Sequence, residues 1–117
     1  MCTTFFVLPD EKTPGWIDGI LIVFNWDEMI NRKSSWLRWY GNIIYGKDKK
    51  SGTTWMGYNV ITKWVAWLNN FWSPKNFEAK DEKLSRGQLV IDYLNLNSDE
   101  EEKEFWESVS EDWNVLK

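Results

Sequence analysis

Runs of apolar and aromatic residues along the chain predict four strands. The first run, residues 3–8, is rich in β-branched and aromatic side chains and ends at a proline. The second run, residues 16–24, contains an uninterrupted apolar stretch at 20–24, which indicates a central strand covered on both faces. Residues 53–58 and 88–96 predict the third and fourth strands.

Three further segments carry apolar residues at helical spacing and predict helices. The first covers residues 26–45, with Gly46 beyond its end as a C-cap. The second follows Asn59 as its N-cap and ends before the Ser-Pro pair at 73–74. The third opens at Ser98, which forms a capping box with the glutamate three residues later.

The predicted elements run in the order β-β-α-β-α-β-α, which indicates an α+β fold. We expect one mixed sheet of about four strands with about three helices packed on it. A length of 117 residues fits one globular domain, residues 1–117, and leaves no room for two. A chain of this size buries about two thirds of the surface that its unfolded form exposes. The order of the strands in the sheet does not follow from the pattern.

Tryptophan is unusually frequent, with ten residues in the chain. Most of these side chains are expected in the core, where each large aromatic removes about 150–250 Å² from water. Ten tryptophans exceed what one small core needs, and a surplus indicates a binding surface. The candidates are Trp39 and Trp67, which lie off the apolar faces of their predicted helices, and Trp16, which lies beside a turn. The alternative is that these three cover the sheet edge or long aliphatic stems.

The net charge of −4 is concentrated at the end of the sequence. Residues 98–117 carry −6, whereas residues 1–97 carry +2. Four glutamates fall at i, i+4, i+7 and i+11 and form one outward stripe: Glu100, Glu104, Glu107 and Glu111. The stripe is either a solvated face or a docking surface for a protein with a basic surface, such as a nuclease, toxin or defence protein.

Basic residues cluster earlier in the chain, interleaved with tryptophan. They are Arg32, Lys33, Arg38, Lys47, Lys49 and Lys50. Basic and aromatic residues together can bind single-stranded nucleic acid. The sequence pI of about 4.8 argues against nucleic acid as the main partner.

Several kinds of chemistry are excluded by residue type. The chain has one cysteine and no histidine, so a disulfide framework, a Cys/His zinc cluster and a Ser-His-Asp triad are all ruled out. There is no phosphate loop and no spacing typical of metal ligands, and we therefore expect no metal, no cofactor and no enzymatic activity. The chain shows no signal peptide, and its apolar runs are too short to span a bilayer. These features predict a cytoplasmic protein without a membrane partner.

The Met-Cys-Thr start resembles that of some amidohydrolases that use an N-terminal residue as nucleophile, and this resemblance covers three residues. It implies that, after removal of Met1, the Cys2 thiol would act as nucleophile and its own α-amine as base. The alternative is that Cys2 is a small apolar residue at the start of a strand.

Taken together, a short, acidic, aromatic-rich chain without catalytic groups predicts a small inhibitor that binds and blocks another macromolecule. Immunity proteins, antitoxins and phage anti-defence proteins share this composition. In this hypothesis the glutamate stripe steers the partner and the surplus tryptophans anchor it. The alternative function is a module with a tryptophan-lined pocket for a small ligand or carbohydrate, which requires a cavity near Trp16, Trp39 or Trp67. Neither the partner nor the oligomeric state follows from the sequence.

Overall fold

The computed structural model describes residues 2–12, 15, 19–27, 30–69 and 86–115, with side chains as far as residue 110. Within these residues the fold is α+β, which confirms the predicted class. The elements are β1 (Thr3–Val7), β2 (Leu21–Asn25), β3 (Arg38–Tyr40), β4 (Ile43–Tyr45), β5 (Met56–Asn59), β6 (Val65–Trp67), α1 (Arg86–Leu94) and α2 (Asp99–Val115).

The described strands form two antiparallel sheets, so the prediction of one mixed sheet is wrong in detail. β1 pairs with β2, with Thr3 opposite Asn25 and Val7 opposite Leu21. β3, β4, β5 and β6 form a meander in sequence order. The apolar run of β2 was expected to be covered on both faces, but Leu21 and Val23 are exposed because β2 belongs to the two-stranded sheet.

The helix predicted over residues 26–45 is absent from the described part of that segment, which holds β3 and β4 instead. Gly41 adopts φ +62 in the two-residue turn between these strands. A positive φ at the first central position is typical of the hairpin turns that glycine favours. The aromatic and β-branched side chains around Gly41 suit strands, and this preference outweighs their helical spacing.

The helix predicted after Asn59 is also wrong in the described residues, where β6 follows a tight turn. The Oδ1 atom of Asn59 accepts hydrogen bonds from the backbone amides of Ile61 (2.8 Å) and Thr62 (3.2 Å). These are the contacts of an N-cap. The next turn does not continue as a helix, because Lys63 lies in the left-handed region at φ 65 and the chain reverses direction.

The strand predicted at 88–96 is wrong, since α1 occupies most of that segment. Val90 and Leu94 are four residues apart and both buried, so the helical period fits the burial. α2 confirms the last predicted helix, and of the predicted capping box it contains the N-cap bond to Ser98, while Glu101 binds the amide one residue earlier than expected. The Ser98 hydroxyl accepts from the Glu101 amide at 3.2 Å, and the Glu101 carboxylate accepts from the Asn97 amide at 2.7 Å.

The core lies between α1 and one face of the four-stranded sheet. Ile43, Tyr45, Val90 and Leu94 are its buried apolar residues. Gly57 in β5 allows the helix to approach closely, because a Cβ atom there would lie 2.7 Å from Leu94 Cδ1. The core therefore fixes α1 against β5.

The two sheets contact each other through pairs of aromatic rings. Phe6 of β1 and Trp67 of β6 have ring centroids 5.1 Å apart. Trp26, which follows β2, stacks on Trp55 at 3.5 Å. Aromatic side chains from four separate parts of the sequence thus join the β1–β2 sheet to the meander.

Candidate functional site

An apolar groove of about 250 Å³ runs along the β6 edge of the meander. Its lining residues are Val65, Ala66, Trp67, Leu68, Leu89, Val90, Tyr93, Phe105, Trp106 and Val109. Successive side chains of a strand point to opposite faces. Because four consecutive residues starting in β6 all line the groove, it follows the edge of the sheet and not one of its faces.

Both helices present the same spacing to the groove. α1 contributes Leu89, Val90 and Tyr93, at i, i+1 and i+4. α2 contributes Phe105, Trp106 and Val109 at the same spacing. Residues at i and i+4 lie on one helix face. The groove is therefore walled by one face of each helix and floored by the last strand of the meander.

Tyr93 holds the aromatic wall of the groove together. Its ring lies 5.8 Å from Phe105, 5.7 Å from Trp106 and 5.4 Å from Trp64, between ring centroids. Phe105 and Trp106 themselves meet edge to face at 5.2 Å. Such pairs contribute about 0.5–1.5 kcal/mol each beyond the apolar area they bury. The rings of this wall therefore contact one another and form a continuous aromatic surface.

The polar edge of the groove is a carboxylate. The Tyr93 hydroxyl donates to Glu102 Oε1 at 2.8 Å, and Trp106 Nε1 donates to the same oxygen at 3.4 Å. Burial, the hydrogen bond and the charge of Glu102 raise the pKa of Tyr93 to about 12. Among the described residues no basic side chain lies within 4 Å of Glu102. The groove therefore ends in negative charge held by two aromatic donors.

The predicted tryptophans do not meet at one place. Trp67 is partly buried and lines the groove. Trp39 lies in β3 with 64% of its surface exposed. Trp16 lies outside the described residues.

The predicted glutamate stripe lies on α2. Glu100, Glu104 and Glu107 are exposed, and Glu111 belongs to α2 with a side chain outside the described ones. By the 100° helical rotation, the stripe faces away from the side of α2 that carries Phe105 and Val109. The stripe and the groove are therefore separate features of one helix.

Three residues of the groove edge were not among the predicted site residues. Trp106 lies in the last predicted helix, and 54% of its surface is exposed at the rim. Tyr93 was assigned to a strand, and Glu102 was grouped with the other acids of the helix. One signal was present in the sequence, because Glu102 and Trp106 are four residues apart and so adjacent on a helix.

A second ordered region surrounds Asp48, whose side chain is 1% exposed. Its Oδ2 atom accepts from Arg32 Nη2 at 2.6 Å and from the Ser51 hydroxyl at 2.8 Å. Its Oδ1 atom accepts from the Lys50 amide at 2.9 Å. Burial alone would raise the pKa of Asp48, but these hydrogen bonds and the Arg32 charge outweigh it, and the pKa is lowered.

Asp48 also brings the predicted basic residues together. Ser34 and Asp48 form a β-bridge, and the Lys49 amide donates to the Lys33 carbonyl at 3.0 Å. Lys33 and Lys49 thus lie on paired extended segments. The prediction that the first three basic residues share a helix is wrong for this reason, while Arg32 and Lys33 do lie beside the loop that carries the lysines.

Cys2 directly precedes β1, is 6% exposed and forms no disulfide. This is the placement expected of a small apolar residue at the start of a strand. Across the described residues, no group of three potential metal ligands comes together. The helices within these residues are also too short or too polar to cross a membrane.

Comparison with known protein families identifies the family of the chain. The model of the family Transport and Golgi organisation 2 (TANGO2) matches residues 1–116. No curated protein and no solved structure matches the chain. The hypothesis of a small inhibitor of the immunity, antitoxin or anti-defence type is therefore wrong, because the matching family is described by transport and Golgi organisation. Composition misled here, since many short acidic chains share it.

Proposed function

The chain belongs to the TANGO2 family, and from this premise and the groove we propose that it serves transport and Golgi organisation by binding a small apolar ligand. The observation that carries the proposal is the apolar groove lined by Trp67 and Trp106. It supports the alternative that the sequence left open, a tryptophan-lined binding module. The proposed role is binding and not catalysis, and the proposed location is the cytoplasm.

The size of the groove limits the ligand. An apolar cavity of about 150 Å³ holds one benzene molecule, and drug-sized ligands occupy about 300–1,000 Å³. The groove, at about 250 Å³, lies between these values. It suits a short hydrocarbon chain or a fused ring pair. A larger ligand would extend beyond the open side of the groove.

Charge limits the ligand further. Glu102 places a carboxylate beside Tyr93 and Trp106, and residues 98–117 carry a net charge of −6. A ligand whose polar end is a carboxylate would meet like charge as it enters, whereas a hydroxyl would not. We therefore propose that neutral or cationic apolar molecules bind better than anionic ones of equal length.

The test uses 1-decanol as a neutral probe and decanoate as its anionic counterpart. Each is titrated into the full chain while the indole Nε1–H resonances are followed by NMR. We expect saturable shifts at Trp67 and Trp106, no shift at Trp39, and weaker binding of decanoate. Shifts spread evenly over all tryptophans, or no saturation, would overturn the proposal.

A pair of matched variants locates the site. Trp106→Ala removes the exposed rim of the groove and should weaken decanol binding by about fivefold or more, since about 40 Å² of apolar area buried by the ligand contributes about 1 kcal/mol. Trp39→Ala removes a similarly exposed indole outside the groove and should leave binding unchanged. An equal effect of both variants would mean that decanol binds elsewhere.

A further inference from the structure

We propose that a basic aromatic surface, made of residues 30–39 and 47–50, binds peripherally to membranes that contain anionic lipids. This inference does not depend on the groove or its ligand. It also differs from the expectation of no membrane partner, which considered only segments long enough to span a bilayer. The bound molecule is a lipid surface, and the protein remains outside the hydrocarbon core.

The apolar part of this surface is unusually exposed. Four large side chains within ten residues lie open to solvent, with relative exposures from 64% to 103%: Ile30, Trp36, Leu37 and Trp39. Clusters of exposed large apolar residues mark interaction sites in soluble proteins. Tryptophan in particular favours the boundary between lipid headgroups and acyl chains, where its ring is apolar and its N–H is hydrated.

The same stretch of chain is strongly basic. Residues 30–52 contain six basic residues and one acidic residue, a net charge of +5, so the rest of the chain carries −9. The one acid, Asp48, is buried and bound to Arg32, and it presents little charge to solvent. Lys33, Arg38, Lys49 and Lys50 are all exposed. The surface is thus complementary to a negatively charged leaflet. Each basic residue near such a leaflet increases the membrane affinity of a protein by about fivefold.

Hydrogen bonds hold the charged and apolar parts in a fixed arrangement. The Ser35 amide donates to the Lys47 carbonyl at 2.8 Å, and the Lys49 amide donates to the Lys33 carbonyl at 3.0 Å. β3, which carries Arg38 and Trp39, pairs with β4 immediately beyond these contacts. Backbone hydrogen bonds therefore join the two segments of the surface, and binding would not require them to fold.

A lipid surface explains the aliphatic residues, which nucleic acid does not. Single-stranded nucleic acid binds by stacking bases on aromatic rings and by contacts of cations with phosphates. Trp36 and Trp39 suit either partner. Ile30 and Leu37 offer no ring for stacking, whereas both add apolar area that can enter the headgroup region.

The test is cosedimentation of the full chain with phosphatidylcholine vesicles, with and without about one quarter phosphatidylserine. We expect binding to the anionic vesicles that weakens as salt is raised. Lys33→Glu combined with Arg38→Glu should lower the partition coefficient by at least about tenfold. Equal binding to both kinds of vesicle, or no loss in this double variant, would overturn the charge-based part of the inference and with it the proposal.

A second variant tests the apolar part. Trp36→Ala combined with Leu37→Ala should weaken binding severalfold and reduce quenching of tryptophan fluorescence by brominated lipids at the interface, with Trp39 as the remaining indole of this surface. Both side chains are highly exposed, so the variant should remain folded. Leu8→Ala, an exposed apolar position in the other sheet region, is the control and should bind as the unmodified chain does. Tighter binding to oligothymidylate than to anionic vesicles would reject the lipid surface in favour of nucleic acid.

Discussion

The meander with α1 and the two-stranded β1–β2 sheet use their apolar residues in opposite ways. In the meander, Ile43 and Tyr45 are buried under Val90 and Leu94 of α1. In β1, four of the five residues are exposed. The difference shows that burial by a helix, and not apolar content, separates the part of the molecule that stabilises the fold from the parts that remain available for contacts.

The largest effect that separates the two regions should come from truncating a leucine in each. Leu94 is 0% exposed, and Leu94→Ala should lower the free energy of unfolding by about 2–5 kcal/mol, because it leaves a cavity beside Gly57. Leu8 is 66% exposed, and Leu8→Ala should change the free energy of unfolding by less than about 0.5 kcal/mol. Urea unfolding of both variants measures the difference. Similar losses would mean that the β1–β2 region shares the core.

A second contrast uses two glycines. A Cβ atom on Gly87 would lie 2.5 Å from both Thr53 Oγ1 and the Thr54 carbonyl oxygen, so Gly87→Ala should cost about 1–3 kcal/mol by forcing α1 away from this loop. Gly19 lies just before β2 and would place its Cβ in open space. Gly19→Ala should be neutral or slightly stabilising in thermal unfolding. Equal destabilisation would show that steric clash is not the cause.

The third prediction concerns the stability at acidic pH of the loop between β4 and β5, which carries Asp48. The folded pKa of Asp48 is lowered, so its contribution is present above the unfolded pKa of about 3.9 and is lost as pH falls through the folded value. Asp48→Asn should cost about 1–3 kcal/mol at pH 7 and less at pH 3. Unfolding measured at both pH values tests this. A loss that is the same at pH 3 would indicate a steric and not an ionic cause.

Local signals in the sequence were sufficient for some elements. The first strand ends before a proline, and the last helix begins with the serine N-cap that the sequence predicts. Both signals involve residues close together in the chain, so they do not depend on tertiary packing. The α+β class follows from the mixture of such elements, although the number of sheets does not.

Other elements were predicted wrongly because the same residue pattern is compatible with both a strand and a helix. Val90 and Leu94 belong to a run of β-branched and apolar residues that suits a strand, and only packing against the meander selects the helix. Between residues 26 and 45, the spacing of the apolar residues predicts a helix, whereas the aromatic and β-branched content favours strands. Gly41, whose positive φ closes the β3–β4 turn, lies inside the segment that was predicted to be helical. The turn at this glycine is what allows the segment to form two paired strands.

The groove could be predicted only in part for the same reason. Trp67 was selected as a surplus tryptophan, and it lines the groove. β6 and α1, however, were assigned to the wrong kind of element, and a site formed by three elements cannot be placed when two are misassigned. Glu102 and Trp106 are neighbours within α2, so that part of the site depends on local spacing alone.

The smallest expected effect is that of Tyr93→Phe, which alters a groove residue and the stability of the fold at high pH. The pKa of Tyr93 is raised to about 12, so the folded protein keeps this proton while the unfolded chain loses it near pH 10. The stability that Tyr93 contributes is present below pH 10 and is lost between about 10 and 12. Tyr93→Phe should therefore cost about 0.5–1.5 kcal/mol at pH 8, for the lost hydrogen bond to Glu102, and should flatten the decline above pH 10.

Glu102→Gln is the matching variant for this prediction. It removes the negative charge that raises the Tyr93 pKa and keeps an oxygen that can accept the hydroxyl proton. Ultraviolet titration of tyrosinate should then show Tyr93 ionising at lower pH, because burial alone still raises its pKa but the carboxylate no longer does. If the titration is unchanged, the carboxylate does not control this edge of the groove, and the preference for uncharged over anionic ligands loses its nearest structural cause.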